Sequence, residues 1–207
     1  MVKFENNVII FDTEYTTWDN SRECDWSDEG QEKEIVQIAA IKVNMKTMEI
    51  LGEFECLVKP VINPILSDCF IRLTGIENCD VEKNGISFER AYENFCDFCG
   101  DLECWSYNPR VDMPIADGHI LKRNLKLNNL EEKYILNYVN VYSYFREEFV
   151  KIEIDIFKEK INSGKIAKVL NIDERIRNLG HDEHNALYDV LSMYEGFKYF
   201  ENLKKNK

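Results

Sequence analysis

The sequence predicts a mixed α/β fold, and three observations carry that prediction. A short apolar run, Val8 to Phe11, reads as a strand buried on both faces, and two longer runs, Glu34 to Val43 and Met48 to Val58, follow as further strands. Later the period changes: Phe88, Ala91, Tyr92, Phe95 and Cys99 recur every three or four residues, the spacing of one helical face. No internal repeat or low-complexity linker interrupts the 207 residues, of which four are proline and 44% hydrophobic, so one domain over residues 1–207 is expected.

The elements follow in order. After the first strand comes a polar stretch, Thr16 to Lys33, with Trp18, Trp26 and six acidic residues. Asn44 to Thr47 is the turn that makes a hairpin of the next two strands. A short helix covers Ser67 to Leu73, ahead of Thr74-Gly75-Ile76. Ser87 is placed to cap a helix running to about Gly100, with Arg90 where a capping-box glutamate would stand. Leu102 to Tyr107 reads as a strand, Gly118 to Leu127 as a helix and Tyr138 to Tyr142 as a short strand. The remainder is helical, over Phe145 to Ile161, after Ser163-Gly164, and from Glu183 to Leu203.

Composition narrows the function. No apolar run approaches the roughly 20 residues of a membrane span, and the polar stretch Met1 to Asn7 does not have the form of an export signal. The seven cysteines have no regular spacing, which predicts reduced thiols and a cytoplasmic protein; Cys96 and Cys99 fall on the apolar helical face and read as core, not as half a zinc site. A net charge of −12 argues against a protein that coats duplex nucleic acid through a broad basic face. It leaves room for an enzyme that grips a few nucleotides through metal ions, part of the negative charge being the site itself.

The acidic groups point the same way. Asp12 and Glu14 stand one residue apart at the end of the first strand, so their side chains share one side of it. Such a pair on an interior strand repels itself unless cations bind. In the last helix, His184 and Asp189 lie five residues apart, about 7.5 Å along the axis, on neighbouring sides. Ala186 and Val190 let that helix approach a sheet closely. Asp117 opens a helix directly after a segment leaving a strand, a position where a plain N-cap is also common.

Asp12 and Glu14 in Phe11-Asp12-Thr13-Glu14, Asp117 with Leu121 and Asn124, and His184 with Asp189 together resemble the three ordered motifs of the DEDDh 3′–5′ exonucleases. The resemblance is strongest to the branch of ERI-like and KinA-inhibitor-like exonucleases, through EYTTW, EIVQIAAIKVN and the segment Pro60 to Ile76, and spans nearly the whole chain. It implies a ribonuclease H-like fold, a central mixed β-sheet flanked by helices. The family's second aspartate usually follows the strand end closely; here Asn108 to Ala116 intervenes, leaving Asp112 as an alternative to the favoured Asp117.

By this resemblance Asp12, Glu14, Asp117 and Asp189 hold two divalent cations, Mg²⁺ or Mn²⁺, and His184 is the general base, with His181 its competitor and Glu14 helping to orient the attack. The implied substrate contacts are Thr13, Tyr15, Thr74, Ile76 and Tyr107; Trp18 and Trp105 could stack bases but read first as loop and core packing, Trp105 in its strand above all, and Lys122, Arg123 and Lys126 are either phosphate contacts or a solvated helix face. The implied reaction is hydrolysis at single-stranded 3′ ends of RNA or DNA, releasing nucleoside 5′-monophosphates. The rival reading is a catalytically weak module that binds a protein or nucleic-acid partner. The position of Thr16 to Lys33, directly after the acidic pair, makes it a candidate lid.

Overall fold

The computed structural model describes residues 6–21, 23–108, 116–178 and 182–206. The first apolar run grows into strand β1 (Asn7–Tyr15), longer than its apolar part because antiparallel pairing with β2 (Ile35–Asn44) continues to Glu14 opposite Gln37. Strand β3 (Glu49–Leu57) completes the hairpin. Its turn is held by Asn44, whose side-chain oxygen accepts from the N–H groups of Lys46 and Thr47, and by Met48 at φ 57°. On its other edge β1 pairs in parallel with β4 (Glu103–Ser106), and β4 with β5 (Asn137–Asn140). The order β3-β2-β1-β4-β5 is therefore a mixed sheet with β1 at its centre.

The helices are α1 (Asp68–Thr74), α2 (Asn78–Asn84), α3 (Phe88–Cys99), α4 (Ala116–Leu127), α5 (Tyr142–Lys151), α6 (Lys165–Val169), α7 (Glu174–Arg177) and α8 (Ala186–Lys205). Side chains alternate across β1 and β2. Val8, Ile10, Ala39 and Ile41 pack against α5, α6 and α8, while Ile9, Phe11, Ile38 and Ala40 pack against α3 and α4. Ala186 and Val190 are fully buried against the sheet, and Cys96 and Cys99 are core residues of the opposite face. Under α8 the rings of Phe145 and Phe197 lie 4.6 Å apart, with Phe149 and Phe200 beside them. Burying each such ring contributes about 1.5–3 kcal/mol.

Three expectations are corrected. The helix expected over Phe145 to Ile161 ends at Lys151, because Ile152, Ile154 and Ile156 alternate with acidic residues and Glu153 turns at φ 62°. Helix α2 was not foreseen; Glu77 and Asp80 cap it reciprocally. The last helix begins at Ala186, not Glu183, with Asn185 as its cap: the Asn185 side chain accepts from the N–H groups of Leu187 and Tyr188. Among the described residues no helix is long and apolar enough to cross a membrane.

The topology makes a cleft at one end of the sheet. Parallel pairing of β1 with β4 covers only Val8 to Ile10 against Glu103 to Trp105. Beyond that the strands separate at their carboxyl ends, the usual place for a ligand in an open α/β sheet.

Candidate active site

Asp12 and Glu14 project from β1 on the side that α8 covers, as their spacing requires. Asp189, in the first turn of α8, comes down over them. Asp117, in the first turn of α4, reaches the same place from the opposite face, through the gap between β1 and β4. Thr13, whose side chain alternates to that face, donates its hydroxyl to Asp117 Oδ1 at 2.8 Å. Three elements thus bring three buried carboxylates to one cavity of about 470 Å³, lined also by Glu14, Tyr15, Trp26, Lys33, Leu73, Tyr107, Asn162, Ser163 and His184.

Electrostatics mark the spot. Burial, then the charges of Asp117, Asp189 and Glu14, hold the Asp12 carboxyl well above its ordinary value. Burial raises Asp117 to about 6 against hydrogen bonds from Thr13 and Ser106, and raises Asp189 to about 7 against those from Ser163 and His184. Carboxylates crowded this way resist ionisation until something positive joins them.

His184 stands where the helix-based reading did not put it. It precedes α8 with φ 68°, and its backbone N–H donates to Asp189 Oδ1 at 3.2 Å. That turn shortens the distance a continuous helix would impose, and ligand atoms of Glu14, His184 and Asp189 fall within 4.8 Å of one another. The oxygen-rich set of Asp12, Glu14, Asp117 and Asp189 has the hardness and charge that a divalent cation with oxygen ligands requires, so the residues fit such a group. Asp112 and His181, the alternatives for the second aspartate and the base, lie outside the described residues.

The other anticipated contacts divide. Tyr15 and Tyr107 line the cleft; Tyr107 donates its hydroxyl to Ile161 O at 3.1 Å, and Tyr15 packs 5.5 Å from the Trp26 ring. Thr74 and Ile76 line an adjoining cavity on the far side of Leu73, which borders both. Thr74 hydrogen-bonds within its own turn, and Ile76 belongs to a small apolar cluster with Phe70 and Val81. Trp105 is core; Lys122 pairs with Glu132 and Arg123 with Glu32.

Several supporting residues were not singled out from the sequence. Ser163 donates to Asp189 Oδ2 at 2.8 Å. Ser192, one turn along α8 from Asp189, donates to the carbonyls of Ser163 and Gly164 and accepts from Ala167 N–H. Gln37 accepts from Ala186 N–H at 2.9 Å, fixing the start of α8 to the sheet. Gln37 did leave a signal: it is the one polar residue in the apolar run from Ile35 to Ile41. Asn124 accepts from Ile35 N–H and donates to Lys33 O, tying α4 to the start of β2.

With this geometry in place, comparison with known proteins is specific. The chain matches the family described as Exonuclease (RNase_T) over residues 9–197. It is 30% identical over 89 residues to human ERI1 exoribonuclease 2, a match covering 43% of this chain and 12% of that protein. It is 36% identical over 75 residues to the 3′-5′ exonuclease Snipper of Drosophila melanogaster, covering 36% of this chain and 25% of the relative. These matches span a quarter or less of the curated relatives. Among solved structures, cell-death related nuclease 4 superposes with TM-score 0.71 at 20% identity, covering 96% of this chain and 64% of the other. The nuclease domain of 3′hExo, a DEDDh family member bound to rAMP, superposes with TM-score 0.62 at 19% identity, covering 97% and 93%. The fold is that of the ribonuclease H-like exonucleases.

Proposed function

This chain belongs to the exonuclease (RNase_T) family, and from that premise we propose that it is a metal-dependent 3′–5′ exonuclease acting on single-stranded 3′ ends of RNA or DNA and releasing nucleoside 5′-monophosphates. Residues 1–207 act as one exonuclease domain in this reading. The observation that carries it is the convergence of Asp12, Asp117 and Asp189, all buried and all raised in pKa, from three separate elements onto one cleft.

Asp12, Glu14, Asp117 and Asp189 would hold two divalent cations, Mg²⁺ or Mn²⁺. When bound, these supply Lewis acidity at the phosphate and charge neutralisation at the attacking and leaving oxygens. The chain's own residues do the rest. His184, at the open edge beside Asp189 and Glu14, accepts the proton of the attacking water, a task suited to an imidazole. Glu14 orients that water. Thr13 and Ser163 hold the Asp117 and Asp189 carboxylates in place. Tyr15, Leu73 and Tyr107 wall the compartment for the terminal nucleotide, with Thr13 contributing through its backbone and Thr74 and Ile76 through the placement of Leu73.

The test is a time course on 3′- and 5′-labelled single-stranded RNA and DNA with Mn²⁺, Mg²⁺ or EDTA, beside Asp189→Ala. A ladder shortening from the 3′ end that needs metal and is lost in the variant supports the assignment. Full turnover in Asp189→Ala defeats it.

A further inference from the structure

Next to the cleft lies a second depression of about 360 Å³, lined by Tyr142, Ile156, Phe157, Lys160, Ile161 and Lys165. It shares Asn162 and His184 with the cleft, so the two adjoin. The irregular segment that replaced the expected helix end builds this groove. Asp155 accepts from the N–H groups of Phe157 and Lys158 at 2.9 and 3.2 Å, which fixes a turn displaying the Phe157 ring.

That ring is 65% exposed, with the Arg146 guanidinium 5.8 Å from its centroid. Lys160 holds φ 48°, and the Lys165 backbone N–H donates to Asn162 Oδ1 at 2.8 Å. Neither lysine has an acidic partner among the described residues, whereas nearby Lys151, Lys168 and Lys204 are all ion-paired. The acid in the lining, Glu183, is already engaged by Asn162 and Lys168. Two lysines without an acidic partner among the described residues thus stand beside a displayed aromatic ring in a chain of net charge −12. They match the pairing of cation and stacking platform that binds single strands.

We propose that this groove holds the nucleotide immediately 5′ of the scissile bond, its base stacked on Phe157 and the adjoining phosphates paired with Lys160 and Lys165. This rests on the exonuclease reading above. The main cleft is walled by Trp26 and Leu73 and suits a chain end; the groove is rimmed by the exposed Phe157 and Lys160 and suits a strand that continues.

The experiment compares the full chain with Lys160→Ala/Lys165→Ala and with Phe157→Ala, on a nucleoside 5′-monophosphate methyl ester, which has no nucleotide 5′ of the scissile bond, and on a single-stranded oligonucleotide. Oligonucleotide binding by each protein is measured in EDTA by fluorescence anisotropy across a salt series. Expected is a rise in KM for the oligonucleotide of roughly five- to 150-fold in Phe157→Ala, with hydrolysis of the methyl ester unchanged. In the double lysine variant the log–log salt slope becomes shallower by about 1.4, the loss of two phosphate contacts on a single strand. Equal losses on both substrates, or none on either, overturn the groove. If the unaltered chain shortens strands while the substitutions are silent, the groove fails and the nuclease reading stands. If it cleaves nothing yet binds the oligonucleotide more tightly than the variants do, the groove stands and the nuclease reading fails. If it neither cleaves nor binds, both are overturned.

Discussion

The two walls of the cleft are built by different means. On one side, Asp12, Glu14 and Asp189 ride on β1 and α8, elements held by regular hydrogen-bond ladders and by a core of fully buried side chains. On the other, residues 16–21, 23–34 and 59–67 form no regular element and are tied by side chains to backbone. Glu34 is the main tie: its carboxylate accepts from the N–H groups of Val61, Ile62 and Asn63 at 2.6, 2.8 and 2.6 Å. Trp26 Nε1 donates to Thr16 O, Ser67 to Thr17 O and Asn63 to Gly30 O. The first wall fixes groups that must sit within a fraction of an ångström of a reacting phosphate, which regular elements do best. The second shapes the compartment. Glu34, Asn63 and Ser67 cross-tie its two segments.

If that division holds, the largest effect belongs to the first wall. Asp189→Asn keeps the shape and removes a charge, so turnover should fall about 1,000-fold or more, equivalent to about 4 kcal/mol of barrier. A steady-state assay on a labelled single strand with Mg²⁺ measures it. A loss below tenfold would mean that Asp189 is not at the reacting centre.

Gly164→Ala tests how closely that wall is fitted. A Cβ at this position would lie 2.3 Å from Asp189 Oδ1 and 2.9 Å from Glu183 Cγ. The carboxylate must move, and displacement of about 1 Å at a catalytic group costs about 100-fold in rate. The expected outcome is that loss in kcat with a circular dichroism spectrum unchanged. An active Gly164→Ala would show that the first wall tolerates the slack assigned here only to the second.

Metal-free stability gives a third contrast. Asp12, Asp117 and Asp189 have folded-state pKa values raised above those of the unfolded chain, by burial first. The unfolded chain ionises such groups near pH 4, whereas the folded one holds Asp117 to about 6 and Asp189 to about 7, so the contribution of these two to stability is fully present below about pH 4 and lost as pH rises through the folded values. Glu148, Asp182 and Glu183, lowered in pKa with lysine partners, act with the opposite sign. The clean readout is therefore a difference. In EDTA, Tm of Asp189→Asn minus Tm of the unaltered chain should be larger at pH 7.5 than at pH 5. Added Mg²⁺ at pH 7.5 should stabilise the unaltered chain more than the variant. A difference independent of pH would contradict the raised value at Asp189.

What the sequence made legible follows the same division. Strand β1, its two inward carboxylates, the capped helix α3 and the Ala186/Val190 face of α8 were all readable, because periods of two and 3.6 residues write directly into sequence. The His184 turn was not readable: a cap by Asn185 and a positive φ at His184 leave no apolar period to betray them. Ser163, Ser192 and Glu34 were invisible for a related reason. Ser192 and Glu34 bond backbone groups 27 to 29 residues away, which any segment offers, and Ser163 bonds the Asp189 carboxylate 26 residues on.

Glu34→Gln gives the smallest effect and separates the walls most directly. The amide keeps one acceptor oxygen but turns the other into a donor that faces the Asn63 N–H now bonded at 2.6 Å to Glu34 Oε2, or the N–H groups of Val61 and Ile62 if the amide is reversed. Hydrogen bonds to a charged group contribute about 1.5–3 kcal/mol, and part of that should be lost, visible as a lower urea midpoint at constant m. Because residues 59–67 meet the 16–34 segment through Asn63 and Ser67, the compartment should loosen while Asp12 and Asp189 stay in place. KM for a single strand should then rise a few-fold with kcat nearly unchanged, the pattern of lost uniform binding. A fall in kcat matching that of Gly164→Ala would mean that the irregular wall also positions the reacting groups, and the distinction between shaping and positioning would collapse.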